Sequence, residues 1–570
     1  MITNAQRNDC VNVCNRVVQV RTIAALLYPA MMPVGSTCAG LAIRGSFLFR
    51  DIRPVVFWAP MIILVSTVVA SLTNLEALLG GATALNSWIL ANFSALFSWG
   101  SFAFVVTCVW AFFSPLGRVT IGGVGAKPLL TKWSWFSVTL CTTIAIGILF
   151  WATAEPIFHK HAPPAIAGLQ PDTRDAVEFA MSTLYMHWSF TPYAIYTVPG
   201  LTFALVYYNL DRPYSLSGPL SLVLGKWVQG FGSQIIDAVA LFALIAGIAA
   251  TLGVGTMSVS GGVARLSGLE PGPLLQGTIM ITIVCAFMVS SATGLQRGIR
   301  LLSDINTKFF FLLCAFVFVA GPTRFMLGLG WDGLVQYVST FLPRSLGLGA
   351  GHDEVWSQAW TVFYWANWLA WAPITALFLG RIAKGYTVRA FIMVNMVVPS
   401  LFAIVWMTVF GGASLFIDGL PGDPVMTAMD ATGPEAAIYE VLSHYPISTL
   451  LMAAFVLLSL VSYITAADSN TEAIAGVCLK TGDHGNAEGV DDAPSSVWIK
   501  LVLGILIAAS AWVMTAFSGI DGVRMMSNLG GFPALMIVLL LNVALILLGT
   551  KHLAALKAMS PGTGEKKPTP

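Results

Sequence analysis

Charge is what this chain has least of. Asp, Glu, Lys and Arg make up 10% of its 570 residues, against 56% hydrophobic. A soluble protein of this size cannot cover its surface from so small a stock. Short polar connections leave no room for a soluble catalytic or motor domain. One stretch, GGVGAKP at Gly122–Pro128, superficially resembles a phosphate cradle, but Pro128 stands where a Ser or Thr hydroxyl is needed. No HExxH metal motif occurs, and nothing resembles a buried Ser/His/Asp set. A net charge of +2, with no basic run carrying interleaved aromatics, gives no reason to expect nucleic acid. Of eight cysteines, Cys108, Cys141, Cys285, Cys314 and Cys478 lie inside apolar runs and read as small buried residues; Cys10 and Cys14 form a lone pair near the terminus with no metal site. No cleavable signal peptide is evident. The stretch Ile23–Ile43, with two prolines and two glycines, reads as a surface or disordered segment rather than a span.

What remains is apolar sequence in runs of about 20 residues, the length a helix needs to cross the bilayer. The runs are continuous rather than alternating, which excludes a β-barrel. The expectation is an all-α polytopic membrane protein of twelve spans, near residues 54–73, 88–113, 134–153, 178–208, 234–262, 274–293, 306–328, 358–381, 387–414, 447–479, 498–518 and 529–550. With the N-terminus placed inside, inward segments hold 23 of the 29 Lys and Arg residues and outward loops hold 6. That asymmetry predicts cytoplasmic termini in the inner (plasma) membrane. The expected organisation is an N-terminal cytoplasmic segment 1–53, two peripheral spans in 54–133, five spans in 134–330, a connecting loop and five more in 331–550, and a short tail 551–570. Several spans carry Gly or Pro inside an apolar run, a mark of broken helices that line a cavity.

Aromatic residues are concentrated in two spans. WTVFYWANWLAW (Trp360–Trp371) holds four tryptophans. At 100° per residue, Trp360, Tyr364, Asn367 and Trp371 share one face, with Trp368 at its edge and Trp365 pointing elsewhere. HWSFTPYAIY (His187–Tyr196) sets Trp188, Tyr193 and Tyr196 around Pro192, which releases the carbonyl of Trp188. Such clustering in mid-span is unusual, because Trp and Tyr gather at membrane interfaces. Two readings stand: aromatic packing between helices, or a cage for an organic cation, which ring faces attract and which needs no N–H to be held.

Five segments resemble the betaine/choline/carnitine transporter family: Trp360–Phe391 most specifically, then Met186–Tyr196, Gly147–Pro156, Gly294–Asn306 and Ile464–Ser469, in the family's order. The resemblance covers about residues 50–550. It implies a LeuT-like fold with two inverted five-helix repeats (spans 3–7 and 8–12), a homotrimer in lipid, and a midplane site for a quaternary ammonium compound such as glycine betaine, carnitine or choline. Carried over by position, Trp188, Tyr193, Tyr196 and Trp368 would form the cage, Trp371 would line the path, and Gly147 would sit at the unwound part of the third span. There are departures. Tyr193 stands where relatives often have Trp, and Asn367–Trp368 replaces a Trp pair; Asn367 would bind a polar group of the substrate or a neighbouring helix. Choline carriers of the family tend to have Asp at the position of Gly147, so its absence favours a zwitterion.

The driving gradient stays open between sodium, protons and exchange. Sodium-coupled members use two adjacent hydroxyl residues on the tenth span, where this chain reads Thr465–Ala466. Thr465 with backbone near Cys141 and Ile144 would be the sodium site. Arg300 would be the fixed charge of a sodium-independent exchanger. Glu155, Asp237, Asp304 and Asp468 lie near predicted span ends and read first as caps or salt bridges. The short tail predicts little osmotic activation. No enzyme and no cofactor beyond a coupling Na+ are expected. A ligand-binding sensor without transport, and a channel, are the other classes that would show these features.

Overall fold

The computed structural model describes residues 52–144, 147–213, 215–292, 296–347, 354–479 and 495–558. The stretch 23–43 lies outside them. Among the described residues the chain is nearly all helix, with two isolated β-bridges. Helices α1 (Pro54–Thr73) and α2 (Leu75–Phe113) come first. The third predicted span is two helices, α3 (Lys132–Ile144) and α4 (Gly147–His161), inclined at 56°. The fourth is also two, α5 (Arg174–Trp188) and α6 (Phe190–Asn209), hinged at Ser189 with φ −115° and ψ −121°. The short α7 (Ser217–Leu224) leads into α8 (Phe231–Ser267), followed by α9 (Pro273–Ala292) and α10 (Gln296–Ala320).

The seventh predicted span ends earlier than expected. Gly321 and Pro322 stop α10, the chain turns by 110°, and α11 (Thr323–Ser345) occupies most of the stretch read as a connecting loop. Pro322 cannot continue the hydrogen-bond ladder, and the Thr323 amide turns back to the Gly321 carbonyl at 2.8 Å. Along α11, Leu327, Trp331, Val335, Val338 and Leu342 are exposed at helical spacing. This is the pattern of a helix lying along an apolar boundary, not of a loop.

One turn at Glu354–Ser357 and a π-helical turn at Gln358–Val362 lead into α12 (Phe363–Arg381). Then come α13 (Val398–Asp418), entered through Val388–Ile392 and a second π-turn at Met393–Val397, the short α14 (Pro424–Thr432) and α15 (Ala436–Ser443), and α16 (Ser448–Cys478). The last two predicted spans form one continuous run, α17 (Ser495–Thr550), broken in direction at Gly519 (φ 53°, ψ −133°), with α18 (Leu553–Ala558) after it. Among the described residues six helices are long and apolar enough to cross a membrane, or up to eight if each bent pair is one span. Fewer than the twelve expected spans reach that length, partly because the fourth is split and its α5 has 15 residues, and the last two run on as α17.

Helix α12 lies at the centre of the bundle, among α6, α8 and α17. In lipid the hydrophobic effect does not drive helices together, so close packing must. Small residues supply it. Gly531 of α17 faces the backbone of Ala366, Gly380 of α12 faces Phe203 and the Gly200 carbonyl, and Gly247 of α8 receives the indole of Trp371. The loop carrying Gly122–Pro128 is also accounted for: its backbone pairs with the turn after α12, Ile121 N to Tyr386 O and Gly385 N to Ile121 O both at 2.9 Å.

A Cβ at position 531 would collide with the Ala366 backbone, which cannot swing aside. Gly531→Ala is therefore expected to destabilise the protein by about 1–3 kcal/mol through overpacking. Gly328→Ala on α11, where no atom lies within 4 Å, is the control and should leave the melting temperature in detergent unchanged or raised.

Candidate functional site

The break at Ser189 and the central position of α12 bring four predicted rings together. Trp368 is the hub: Trp188 lies 5.5 Å from it at 75°, Tyr196 at 5.5 Å and 72°, and Tyr193 at 5.7 Å and 57° between centroids. All four are buried. The hinge is built locally. Pro192 denies the Trp188 carbonyl its helical partner, and beside it the Ser189 hydroxyl donates to Tyr185 O at 2.5 Å and lies 3.0 Å from the Tyr337 hydroxyl. Gly147 opens α4 directly after the interruption between α3 and α4. A Cβ there would meet Trp188 Cη2 at 3.0 Å, so glycine lets this helix start against the ring.

The expected single stripe on the eighth span divides into two ridges. Trp360, Tyr364 and Trp368, spaced by four, face α4 and α5: Trp360 packs on His159 at 4.6 Å, and Tyr364 stacks on His187 at 4.6 Å and 27°. Asn367 and Trp371, also four apart, form the second ridge. The Asn367 side-chain oxygen accepts from Ser527 Oγ at 3.1 Å, and Trp371 lies against Gly247. Of the two roles weighed for Asn367, this contact is the helix-to-helix one. The π-helical turn at Gln358–Val362 contains Trp360 and shifts it from an even 100° step relative to the later residues of α12. Trp365 is buried with its ring edge-on to His187 at 5.9 Å.

The main departure from expectation is Glu155. It sits within α4 rather than at a span end, and it is fully buried. Trp188 Nε1 and the Tyr364 hydroxyl donate to its Oε2 at 2.8 and 2.6 Å. Its Oε1 lies 2.6 Å from His187 Nδ1 and 3.3 Å from His159 Nε2. His187 Nε2 is 3.0 Å from the Thr361 hydroxyl. The Glu155, His159 and His187 ligand atoms lie within 4.8 Å of one another, close enough to share an ion. The carboxylate is already engaged by the indole and phenol, so the arrangement reads as a hydrogen-bond network. The sequence signal for it was Glu155 followed by His159 one helical turn later.

Asp237 and Asp304 take the salt-bridge role expected of them. Asp237 pairs with Arg53 at 2.6 Å, and Asp304 pairs with Lys308 and accepts from Trp133 Nε1, both at 2.6 Å. A second acidic group, His161, Asp418 and Asp423, encloses the Lys160 ammonium, which lies 2.7 Å from Asp418 and 3.2 Å from Asp423. Its cation is built in.

At the predicted sodium site, Cys141 Sγ lies 3.5 Å from Thr307 Oγ1, and Asn306 Nδ2 donates to Ser462 Oγ at 3.0 Å, so α3, α10 and α16 meet there. Ile144 ends α3. The side chains of Thr465, Asp468 and Arg300 lie outside the described residues.

The profile of the betaine/carnitine/choline family transporters matches residues 55–552. A glycine betaine transporter of Vibrio parahaemolyticus is 32% identical over 75% of this chain and 80% of its own. An ectoine/hydroxyectoine transporter of Virgibacillus pantothenticus is 30% identical over 77% and 85%. An osmo-independent choline transporter of Acinetobacter baylyi is 26% identical over 86% and 92%. Among solved structures, a Na+-coupled sialic acid symporter superposes with a TM-score of 0.46 at 11% identity, covering 82% of this chain and 86% of that one.

Tyr364→Phe keeps the ring and deletes one donor to a buried carboxylate. It is expected to cost about 1–3 kcal/mol, read as a lower melting temperature. An unchanged melting temperature would show that the network contributes nothing to the fold.

Proposed function

The chain belongs to the betaine/carnitine/choline transporter family, and on that premise we propose that it carries a trimethylammonium-type zwitterion held by Trp188, Tyr193, Tyr196 and Trp368. It is a multi-pass membrane protein and a secondary transporter. The observation that carries the substrate reading is the meeting of three buried rings on a fourth, Trp368, beside a helix break and a glycine that admits α4. Desolvated ring faces attract a cation by about 2 kcal/mol or more, and a methylated ammonium has no N–H that would demand a carboxylate partner. Names borne by relatives, glycine betaine, ectoine and choline, support the same class. The absence of an acid at Gly147 favours a zwitterion within it.

Alternating access would follow from the two hinged spans, α3 with α4 and α5 with α6, since both contribute to the cage and both are already bent. Trp371 would line the route to it. For coupling, the proposal keeps sodium at Thr465 with the Cys141–Ile144 backbone, proton coupling, and exchange through Arg300 as alternatives for experiment. A homotrimer in the plasma membrane with both termini cytoplasmic completes it; the exposed apolar face of α11 offers a surface for lipid or a second copy.

Radiolabelled uptake of betaine, carnitine and choline into vesicles, with sodium and pH gradients imposed separately, tests the reading. Concentrative uptake of at least one is expected; saturable binding with no uptake would replace the transporter by a sensor. Trp368→Leu should weaken apparent affinity by about 1–2 kcal/mol with the fold retained. Unchanged affinity would remove Trp368 from the site.

A further inference from the structure

We propose that Glu155 is the charged backing of the aromatic cage: a positioning residue that never touches the substrate but makes the site select for a positive charge rather than for shape alone. This rests on the substrate reading above. The carboxylate is fully buried and four groups point at it: Trp188 Nε1, the Tyr364 hydroxyl, His187 Nδ1 and His159 Nε2. Indole N–H can only donate, and it shares Oε2 with a phenol. An ionised carboxylate accepts all of these; a protonated one would have to turn an O–H toward a donor.

The surrounding cations make their direct contacts elsewhere, and Arg344 reaches Glu155 only through space. His159 on the same helix, His187 from α5 and Tyr364 from α12 are the titratable groups in contact with it. Arg344 of α11 spends its guanidinium on Ser182 Oγ at 3.0 Å, Thr183 Oγ1 at 2.6 Å and the face of Phe179 at 4.7 Å. Arg524 of α17 lies over Trp360 at 4.7 Å and pairs with Asp521 at 3.1 Å. Among the described residues no Lys or Arg lies within ion-pair distance of Glu155. An indole that donates to an anion carries more electron density on its face, and Trp188 presents that ring to Trp368, 5.5 Å away. The negative charge itself also acts at short range through a medium of low dielectric, where it is weakly screened. The anion thus lies at the N–H edge of a ring that belongs to the cage.

The test compares two ligands of equal size and shape. Glycine betaine carries a trimethylammonium group; 3,3-dimethylbutanoate has an uncharged tert-butyl group in its place. Binding of each is measured on the purified full-length protein by calorimetry and by competition. Glu155→Gln is expected to weaken betaine by about tenfold while leaving dimethylbutanoate unchanged or tighter, and Glu155→Asp should restore most of the difference. Equal losses for both ligands would make Glu155 merely structural and overturn the proposal. Wild-type protein that binds no betaine would overturn the substrate reading and this inference with it. Infrared difference spectra of the wild-type protein keep the test open if the glutamine variant does not fold. A displaced carboxylate band is expected with betaine and not with dimethylbutanoate; identical responses would count against the inference.

Discussion

The arrangement depends on one contact set, the packing of three rings from α5 and α6 on Trp368 of α12, two edge-to-face and one tilted. Those rings can converge only because the chain bends at Ser189, and the bend exists because Pro192 leaves a carbonyl free and Ser189 ties its hydroxyl to Tyr185 and Tyr337. A straight α5–α6 helix would spread Trp188 and Tyr193 around its circumference, since 3.6 residues per turn sends neighbours in sequence to different faces. Backbone irregularity at this depth is tolerated in a membrane where protein or a cavity covers it. Here the covering is aromatic.

A second constraint is charge. A membrane interior penalises an isolated ion, so each deep charge needs an explanation. Lys160 sits among Asp418, Asp423 and Asp172, and Asp237 is matched by Arg53. Arg344 is satisfied by hydroxyls and a ring face. Glu155 differs in being satisfied by neutral donors, two of which belong to aromatic residues at or beside the cage. Polar satisfaction and the placement of the rings are therefore one network: Trp188, which donates to the carboxylate, is also one of the rings packed on Trp368.

Part of this is legible in the sequence. Residue types mark the two aromatic segments, the resemblance to the family names Trp188, Tyr193, Tyr196 and Trp368 within them, and those rings do meet. Glu155 was misplaced because the third span was drawn to end at residue 153, whereas α4 runs on to His161 through Pro156; a mid-helix acid then looked like a cap. The single stripe on the eighth span divided because its two sides meet different partners, His159 and His187 on one, Ser527 and Gly247 on the other, which no local sequence rule announces. Helix α11 was missed because glycines and charges interrupt its apolar residues, although Leu327, Trp331, Val335, Val338 and Leu342 recur at helical spacing. In each case a tertiary partner decided what local pattern left open.

The central claim is about place: a methylated onium group sits among these particular rings. Fluorine NMR on protein labelled with fluorotryptophan observes that directly, with resonances assigned by single substitutions. On addition of glycine betaine, the signals of Trp188 and Trp368 should shift together and saturably, while that of Trp133, which is bonded to Asp304 outside the cage, stays fixed. Saturable binding that leaves both cage signals unmoved would contradict the account.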